Sequence, residues 1–283
     1  MNRLRAFPGS WRRVRVVAEE EYRGALESRW LFGFAALLTT LIAGLSYFGM
    51  VQSGELGFQG FARVTLSLMN LVLFVVPLMG LLLGVASLTA GSATLPLLLA
   101  QPVARTEVYA GKYLGLLAAL SVALAVGFGA GGVVIAIEAG ADQLRGFLVL
   151  TAVAFALGAI SVAASMLLAV LWPDRLRATS AAIGLWLLTV VAYDLVLLGA
   201  TATFNGVRLQ AMLFPALLVN PVDLARVLTT LATGSGALFG PTSAVLVRWF
   251  GTAGGIALGV AVLGAELAAP LAVGAWRFRR RDW

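Results

Sequence analysis

The 283-residue sequence contains no cysteine and no histidine. Without cysteine it can form neither a disulfide framework nor a thiolate metal site, and without histidine it has no imidazole ligand or acid–base group. Only 12% of its residues are charged, whereas a soluble domain of this length has about a quarter charged. Because 60% of the residues are hydrophobic and the mean hydropathy is +0.96, the composition indicates an integral membrane protein.

Nucleotide- and metal-binding patterns are also missing. Gly111-Lys112 is followed by Tyr113, and Thr106 stands where a phosphate-binding P-loop would have its first glycine, so the chain has no P-loop for ATP. Methionine is the only soft metal ligand that remains, and its scattered positions favour packing over a metal-transfer path. These positions are Met50, Met69, Met79, Met166 and Met212. We therefore predict no catalytic residue, no metal site and no cofactor in this chain.

Six apolar stretches are long enough to cross a bilayer as helices. They cover approximately residues 30–50, 64–88, 112–137, 146–172, 178–199 and 249–276. If the N-terminus is inside, fifteen of the 20 basic residues fall on the inner side and the other five on the outer side, as the positive-inside rule requires. The sequence predicts an all-α protein with six transmembrane helices in the cytoplasmic (inner) membrane, with both termini cytoplasmic. The net charge of +7 then reflects basic cytoplasmic segments rather than a nucleic-acid partner.

Residues 1–29 are rich in charge and form a separate segment ahead of a transmembrane domain over residues 30–283. Apolar side chains recur in this segment at helical spacing, at Trp11, Val14, Ala18, Tyr22 and Ala25. This pattern predicts an amphipathic helix lying on the inner membrane surface. A solvated charged tail is the alternative.

A polar island interrupts the apolar sequence at about residues 92–112 and contains the only lysine, Lys112. Pro102 predicts a turn, and Thr106 is a candidate cap for a short helix that runs to Lys112. The island is either a contact for a soluble partner or an ordinary cytoplasmic connection. The residues that could make such a contact are Gln101, Pro102, Arg105, Glu107, Tyr109 and Lys112.

The island resembles the cytoplasmic coupling loop of ABC-2 type transporter permeases. The resemblance rests on L-L-x-x-P-V-x-R at residues 98–105, followed by G-K-Y-L-G at residues 111–115. It implies a non-catalytic membrane subunit driven by a separate cytoplasmic ABC ATPase, which would bind the ATP and Mg²⁺. In one departure from the family, the segment TAGSAT at residues 89–94 has no acidic residue.

Three polar residues fall within the apolar stretches. Glu266 lies well inside the sixth, where a charge costs about 3 kcal/mol, so it either faces a polar cavity and handles a proton or cation, or is protonated and hydrogen-bonded to a neighbouring helix. Asp194 is predicted to be an interfacial carboxylate near the outer end of the fifth. Asn70 is predicted to form an interhelical hydrogen bond rather than bind a substrate.

Glycines at spacing four predict close helix packing. Gly251, Gly255 and Gly259 would let another helix approach the sixth span, either in a second copy of the chain or within the same subunit. Gly127 and Gly131 raise the same alternatives for the third span.

A long outer loop at about residues 200–248 contains a second informative stretch, VNPVDLARVLTTL. Asn220 suits a helix cap, Pro221 the first helical position and Asp223 the first turn, while Arg226 lies away from the apolar face. That apolar face consists of Leu224, Val227, Leu228 and Leu231. The stretch predicts an amphipathic helix on the outer leaflet or against a partner protein, or else a helix that caps the bundle.

Two outer motifs and the basic C-terminus narrow the resemblance. Y-D-L-V-L-L at residues 193–198, N-P-x-D-x-x-R at residues 220–226 and the terminal R-F-R-R-R-D are similar to ABC-2 permeases of the machinery that matures the copper site of nitrous oxide reductase. This implies a homodimer that also contacts an extracytoplasmic partner protein. The alternatives are an exporter of a lipid, drug or peptide, and an ion-coupled secondary transporter that uses Glu266.

Overall fold

A computed structural model describes residues 10–51, 58–89, 103–138, 141–203, 215–232 and 241–281, and these ranges contain no strand. Nine helices are used below. They are α1 (Ser10–Glu27), α2 (Arg29–Val51), α3 (Phe58–Thr89), α4 (Arg105–Glu138), α5 (Ala141–Leu171), α6 (Arg175–Leu187), α7 (Tyr193–Thr203), α8 (Pro221–Ala232) and α9 (Pro241–Arg280). A π-helical turn, Leu188–Ala192, joins α6 to α7.

The described residues contain five helices that are each long and apolar enough to cross a membrane: α3, α4, α5, α6 with α7, and α9. A sixth crossing is obtained when α1 and α2, which meet at 66°, are counted together. The prediction of an all-α membrane protein is confirmed, and a count of six spans agrees with the structure.

The centre of the bundle is formed by α3, α4 and α5. Leu120 of α4 and Leu157 of α5 are almost completely buried there, as is Val76 of α3. The contact between α3 and α5 is close because Gly80 lies against Ser161, so that a methyl group at Gly80 would be 2.8 Å from the serine Cβ. Helix α5 also contacts α8 and α9, which makes it the axis around which the other helices pack.

Helix α2 packs on α4 at the glycines that the sequence identified in the third span. The side chain of Leu38 packs against Gly127, where a methyl group added to the glycine would lie 3.0 Å from the leucine. The side chain of Ile42 packs against Gly131 in the same way. These two glycines therefore serve packing within one chain.

Helix α1 is amphipathic, but its inner face lies on α4. Gly111 and Gly115 are one turn apart on α4 and form the contact: a methyl group at Gly111 would lie 2.7 Å from the Cβ of Val17, and one at Gly115 would lie 2.7 Å from the Cβ of Glu21. Trp11, at the start of α1, remains 79% exposed. The exposed aromatic ring and the charged outer face keep this helix suitable for a membrane surface.

The start of α4 differs from the prediction. Thr106 was expected to cap a short helix, but the helix begins at Arg105 and continues without a break to Glu138. The backbone carbonyl of Ala104 accepts the first helical hydrogen bonds, and the carboxylate of Glu107 accepts a hydrogen bond from the N–H of Ala104 at 3.0 Å. Glu107 thus closes half of a capping box, which places Ala104 at the N-cap.

Helix α8 lies among the other helices and not on an outer surface. Nine of its residues are buried, among them Asp223, Thr229 and Thr230, and it packs against α5 and α9. Of the alternatives that the sequence left open, this geometry agrees with a helix that closes the bundle. Its Leu228 packs against Gly259 of α9, where a methyl group added to the glycine would lie 2.6 Å from the leucine side chain.

Candidate functional site: polar networks at the two ends of the bundle

The first network joins α1 to the start of α4. Arg13 donates two hydrogen bonds to Glu107, from Nε at 2.9 Å and from Nη2 at 2.8 Å, in the paired geometry that suits a guanidinium and a carboxylate. Since Glu107 also holds the N–H of Ala104, one carboxylate fixes both the helix start and its neighbour α1.

Five residues further along α4, Lys112 forms a second ion pair with α1. Its Nζ lies 2.6 Å from the carboxylate of Glu21 and also donates at 3.2 Å to the backbone carbonyl and to the hydroxyl of Ser87, near the end of α3. The lysine is only 7% exposed, so its charge is used inside the fold and compensated there.

The C-terminal end of α9 closes this region from the other side. Arg105 donates to the backbone carbonyls of Arg279, at 3.2 Å, and Arg281, while the guanidinium of Arg281 donates to the carbonyl of Val170 at the end of α5. The ends of α1, α3, α5 and α9 thus meet around the start of α4. We call this region the coupling end.

Tyr109 completes the contact between α4 and α9. Its ring packs against Phe278 with 5.5 Å between ring centroids, and its hydroxyl lies over Gly274, where a larger residue has no room. The hydroxyl is buried and has no hydrogen-bond partner among the described residues.

The six residues predicted to contact an ATPase therefore have different places. Gln101 and Pro102 lie outside the described residues. Arg105 is half-buried, whereas Glu107, Tyr109 and Lys112 are buried against α1 and α9. In this structure the three buried residues connect α4 to neighbouring helices and are not open to a partner.

The second network lies at the far end of the bundle, where the two outer motifs of the sequence meet. Arg226 of α8 donates to both carboxylate oxygens of Asp194 of α7, at 3.1 and 3.0 Å, and to Asp223 at 3.3 Å. The sequence predicts that Asp194 is an interfacial carboxylate. Its pairing with Arg226 could not be read from spacing, because 32 residues separate the two.

Asn220 connects α8 to the π-helical turn. Its side-chain oxygen caps α8 by accepting from the N–H of Val222 at 3.0 Å, and its amide nitrogen donates to the carbonyl of Thr189 at 2.8 Å. Pro221 takes the first position of α8, as predicted. We call Tyr193, Asp194, Asn220, Asp223 and Arg226 the far-end cluster.

Two atoms of the far-end cluster are buried without a hydrogen-bond partner among the described residues, the hydroxyl of Tyr193 and Oδ2 of Asp223. Burial raises the pKa of Asp223 to about 6, against the opposite effect of the Arg226 charge. In the sequence Tyr193 is only part of the Y-D-L-V-L-L motif, since its position near Asp223 depends on how α8 packs beside the π-helical turn.

The remaining predicted polar residues are separate from both networks. Glu266 is half-buried in α9, and its two carboxylate oxygens have no partner in the described part of the chain. Asn70 is exposed on α3. Within the same ranges no three acidic side chains lie close enough to bind a metal together.

The three glycines of α9 do not form one packing surface in the structure. Gly259 packs against α8, and Gly255 is buried. Gly251 instead has a positive φ of 68° and a ψ of 175°, which makes it the point where α9 bends.

Residues 15–283 of this bundle of apolar helices match the model of the ABC-2 family transporter proteins. The chain belongs to that family and is the membrane subunit of an ABC transporter.

Two relatives carry the same name, probable ABC transporter permease protein NosY. The one from Stutzerimonas stutzeri is 31% identical over 267 residues, which cover 91% of this chain and 89% of the relative. The one from Pseudomonas aeruginosa is 31% identical over 224 residues, which cover 76% of this chain and 80% of the relative.

Proposed function

We propose that the chain couples a separate cytoplasmic ATPase to a protein on the other side of the membrane. In this proposal the ATPase binds the ATP and Mg²⁺ and acts on the loop beside the coupling end. The spans then move as rigid helices, and the far-end cluster moves with them. Membership of the ABC-2 family and the absence of a P-loop in the sequence both support an external source of energy.

The observation that carries the proposal is the fastening of α1, α4 and α9 at the coupling end. Arg13 and Lys112 provide ion pairs between α1 and α4, and Arg105 ties α4 to the end of α9. The described part of α4 begins directly after the polar loop, so a force on that loop is transmitted to three helices together and not to one flexible connection.

The charge distribution supports the orientation. The coupling end contains the four arginines of α1 and the arginines in the last turn of α9, and we place it on the cytoplasmic face of the inner membrane, with both termini inside. The far-end cluster then faces the extracytoplasmic side, where a partner protein would receive the motion.

Exposed apolar surface supports a homodimer. In the most apolar stretch of each span, only 6% of the α6–α7 residues and 11% of the α9 residues are buried by the rest of the chain. Large apolar side chains such as Leu195 and Val260 point outward. Lipid and a second copy of the chain would share these surfaces.

The likeness to proteins named NosY, with the two outer motifs, leads us to propose a role in maturation of the copper enzyme nitrous oxide reductase. Because the sequence has no Cys or His and its methionines are scattered, the subunit would transmit motion rather than carry copper.

One cavity favours an exporter of hydrophobic molecules as the alternative. It has a volume of about 430 Å³ and lies between α5, α8 and α9, with a wall that includes Ala156, Leu228 and Leu263. An apolar cavity of this size is large enough for part of a small hydrophobic substrate.

Purification of the tagged chain from its native membranes tests the proposal. We expect an ABC ATPase and an extracytoplasmic protein to co-purify, and the complex to hydrolyse ATP. Recovery of a functional chain without any nucleotide-hydrolysing subunit would contradict the proposal, and co-purification of the ATPase alone would favour the exporter.

A charge-swap pair tests the role of the coupling end. Glu107→Arg should weaken ATPase association by releasing α1 and by removing the cap at Ala104. The double variant Arg13→Glu/Glu107→Arg should restore the part of the association that depends on the ion pair, which is re-formed in reverse. No recovery at all in the double variant would show that the ion pair does not support the association.

A further inference from the structure

A groove of about 420 Å³ lies between α2 and α3, and the charged residue in its lining is Arg29. Arg29 and Trp30 lie at the end nearest α1, and the walls behind them are apolar, with Phe34 and Leu37 from α2 facing Val75 and Leu82 of α3. We propose that this groove binds an anionic phospholipid of the leaflet at the coupling end, with the phosphate at Arg29 and an acyl chain along the groove.

Arg29 has no acidic partner among the described residues, in contrast to Arg13 and Lys112. Arg13 is paired with Glu107, and Lys112 with Glu21, but Arg29 is exposed at the first position of α2. The adjacent Trp30 is 74% exposed, and tryptophan prefers the headgroup level of a bilayer. Basic pockets between membrane helices on the cytoplasmic side are recognised sites for anionic headgroups.

The length of the groove matches one leaflet. From Arg29 to Leu37 the wall of α2 covers nine residues, and the eight steps between them span about 12 Å at the rise of an α-helix. The hydrocarbon of one leaflet is roughly 15 Å thick, half of the bilayer core. A lipid whose phosphate lies at Arg29 therefore has its acyl chain beside the apolar walls.

The charge also distinguishes a lipid from a second copy of the chain as the occupant. An apolar helix laid over the groove would remove the Arg29 guanidinium from water without neutralising it, which is unfavourable. A phosphodiester supplies the missing negative charge, and a phosphatidylglycerol headgroup does so without a cation of its own.

Native mass spectrometry of the full-length protein in a neutral detergent tests the headgroup contact. The probes are palmitoyl-oleoyl phosphatidylglycerol and the zwitterionic phosphatidylcholine with the same chains. We expect tighter binding of the phosphatidylglycerol, and Arg29→Gln should weaken it about fivefold, the contribution of one arginine near a membrane surface. Arg175→Gln is the matched control, since Arg175 is exposed at the start of α6 and does not line the groove.

A second pair of variants tests the groove itself. Gly33 lines the groove and has no atom within 4 Å of the position of a Cβ, so Gly33→Phe should fill the groove without disturbing the helix and should abolish binding of both lipids. Gly184→Phe, at an equally open position on α6, should leave binding unchanged.

Equal weakening by Arg29→Gln and Arg175→Gln would overturn the proposal, because binding would then depend only on overall positive charge. Unchanged phosphatidylglycerol binding by Gly33→Phe would also overturn it. Conversion of a dimer to a monomer by Gly33→Phe, with no loss of lipid, would assign the groove to a second copy of the chain.

Discussion

Lys112 shows what a single residue can and cannot indicate in a sequence of this kind. As the only lysine in an apolar chain it predicts a hydrophilic contact, and the structure does give it one, but the partner is Glu21 of the same chain. Lys112 and Glu21 are 91 residues apart, so helical periodicity cannot relate them and only the packing of α1 on α4 reveals the pair.

Replacement of Lys112 by methionine should destabilise the protein by roughly 2–4 kcal/mol, because Glu21 would remain largely buried without its counter-charge. Arg23→Met is the control, since its pair with Glu19 is exposed and an exposed i,i+4 pair contributes at most about 0.5 kcal/mol. Thermal unfolding in detergent measures both. Equal shifts of the unfolding midpoint would show that the buried pair contributes no more to stability than the exposed pair.

Asp223 should make stability depend on pH in the opposite sense to an ordinary salt-bridged carboxylate. Its pKa in the folded protein is about 6, above the value near 3.9 of an unfolded chain, so the folded state holds the proton more tightly. We expect the midpoint of thermal unfolding to rise as pH falls from 7 to 5. The titratable and charged groups near the Asp223 carboxyl are Asp194, Arg226 and Tyr193. Asp223→Asn should reduce this rise, and identical pH profiles would contradict the assignment.

At the scale of elements, the sequence predicts the spans well because each is an uninterrupted apolar stretch, and the charge bias sets their alternation. It leaves alternatives open where polar residues are satisfied internally, as in α8, which was predicted to be either a surface helix or one that caps the bundle. The hydroxyls of Thr229 and Thr230 donate to the backbone carbonyls of Ala225 and Val227, which allows the helix to be buried. The predicted cap at Thr106 fails because Glu107 stabilises an earlier start.

The contact between α1 and α4 depends on small residues at one face of α4. Gly111→Leu should separate the helices, since even a methyl group there lies 2.7 Å from the Val17 side chain. Gly129→Leu on the same helix faces open space and is the control. Hydrogen exchange across residues 10–27 should accelerate in the first variant only. Unchanged exchange in both would mean that α1 is held by its ion pairs alone.

The bend in α9 depends on the positive φ of Gly251. Gly251→Ala should cost about 1–3 kcal/mol, because a residue with a side chain is strained at this φ and ψ. Gly264→Ala, in the regular and open part of the same helix, should be neutral or stabilising by up to about 1 kcal/mol. Thermal unfolding of the two variants distinguishes the effects, and a neutral Gly251→Ala would show that the bend is not needed for stability.

In the whole molecule, the two networks at opposite ends of the bundle contain the same kind of ion pair. Each uses an arginine and a carboxylate to join elements far apart in the sequence, Arg13 with Glu107 at the coupling end and Arg226 with Asp194 at the far end. Helix α9 contacts both α4 and α8. In the proposed function, it would carry a motion from the first network to the second.

If the chain transmits motion, variants at the two ends should fail differently. Arg226→Asp should leave the ATPase bound and hydrolysing ATP, because the coupling end is intact, but should abolish the effect on the extracytoplasmic partner, because α8 is repelled by Asp194. The exchange Asp194→Arg/Arg226→Asp should restore that effect by re-forming the pair. Glu107→Arg should instead lose the ATPase. Co-purification, ATP hydrolysis and partner activity measured on the same preparations separate these outcomes, with size-exclusion chromatography to confirm folding. If Arg226→Asp released the ATPase as completely as Glu107→Arg, the two ends would not act in series, and the far-end cluster would serve assembly rather than output.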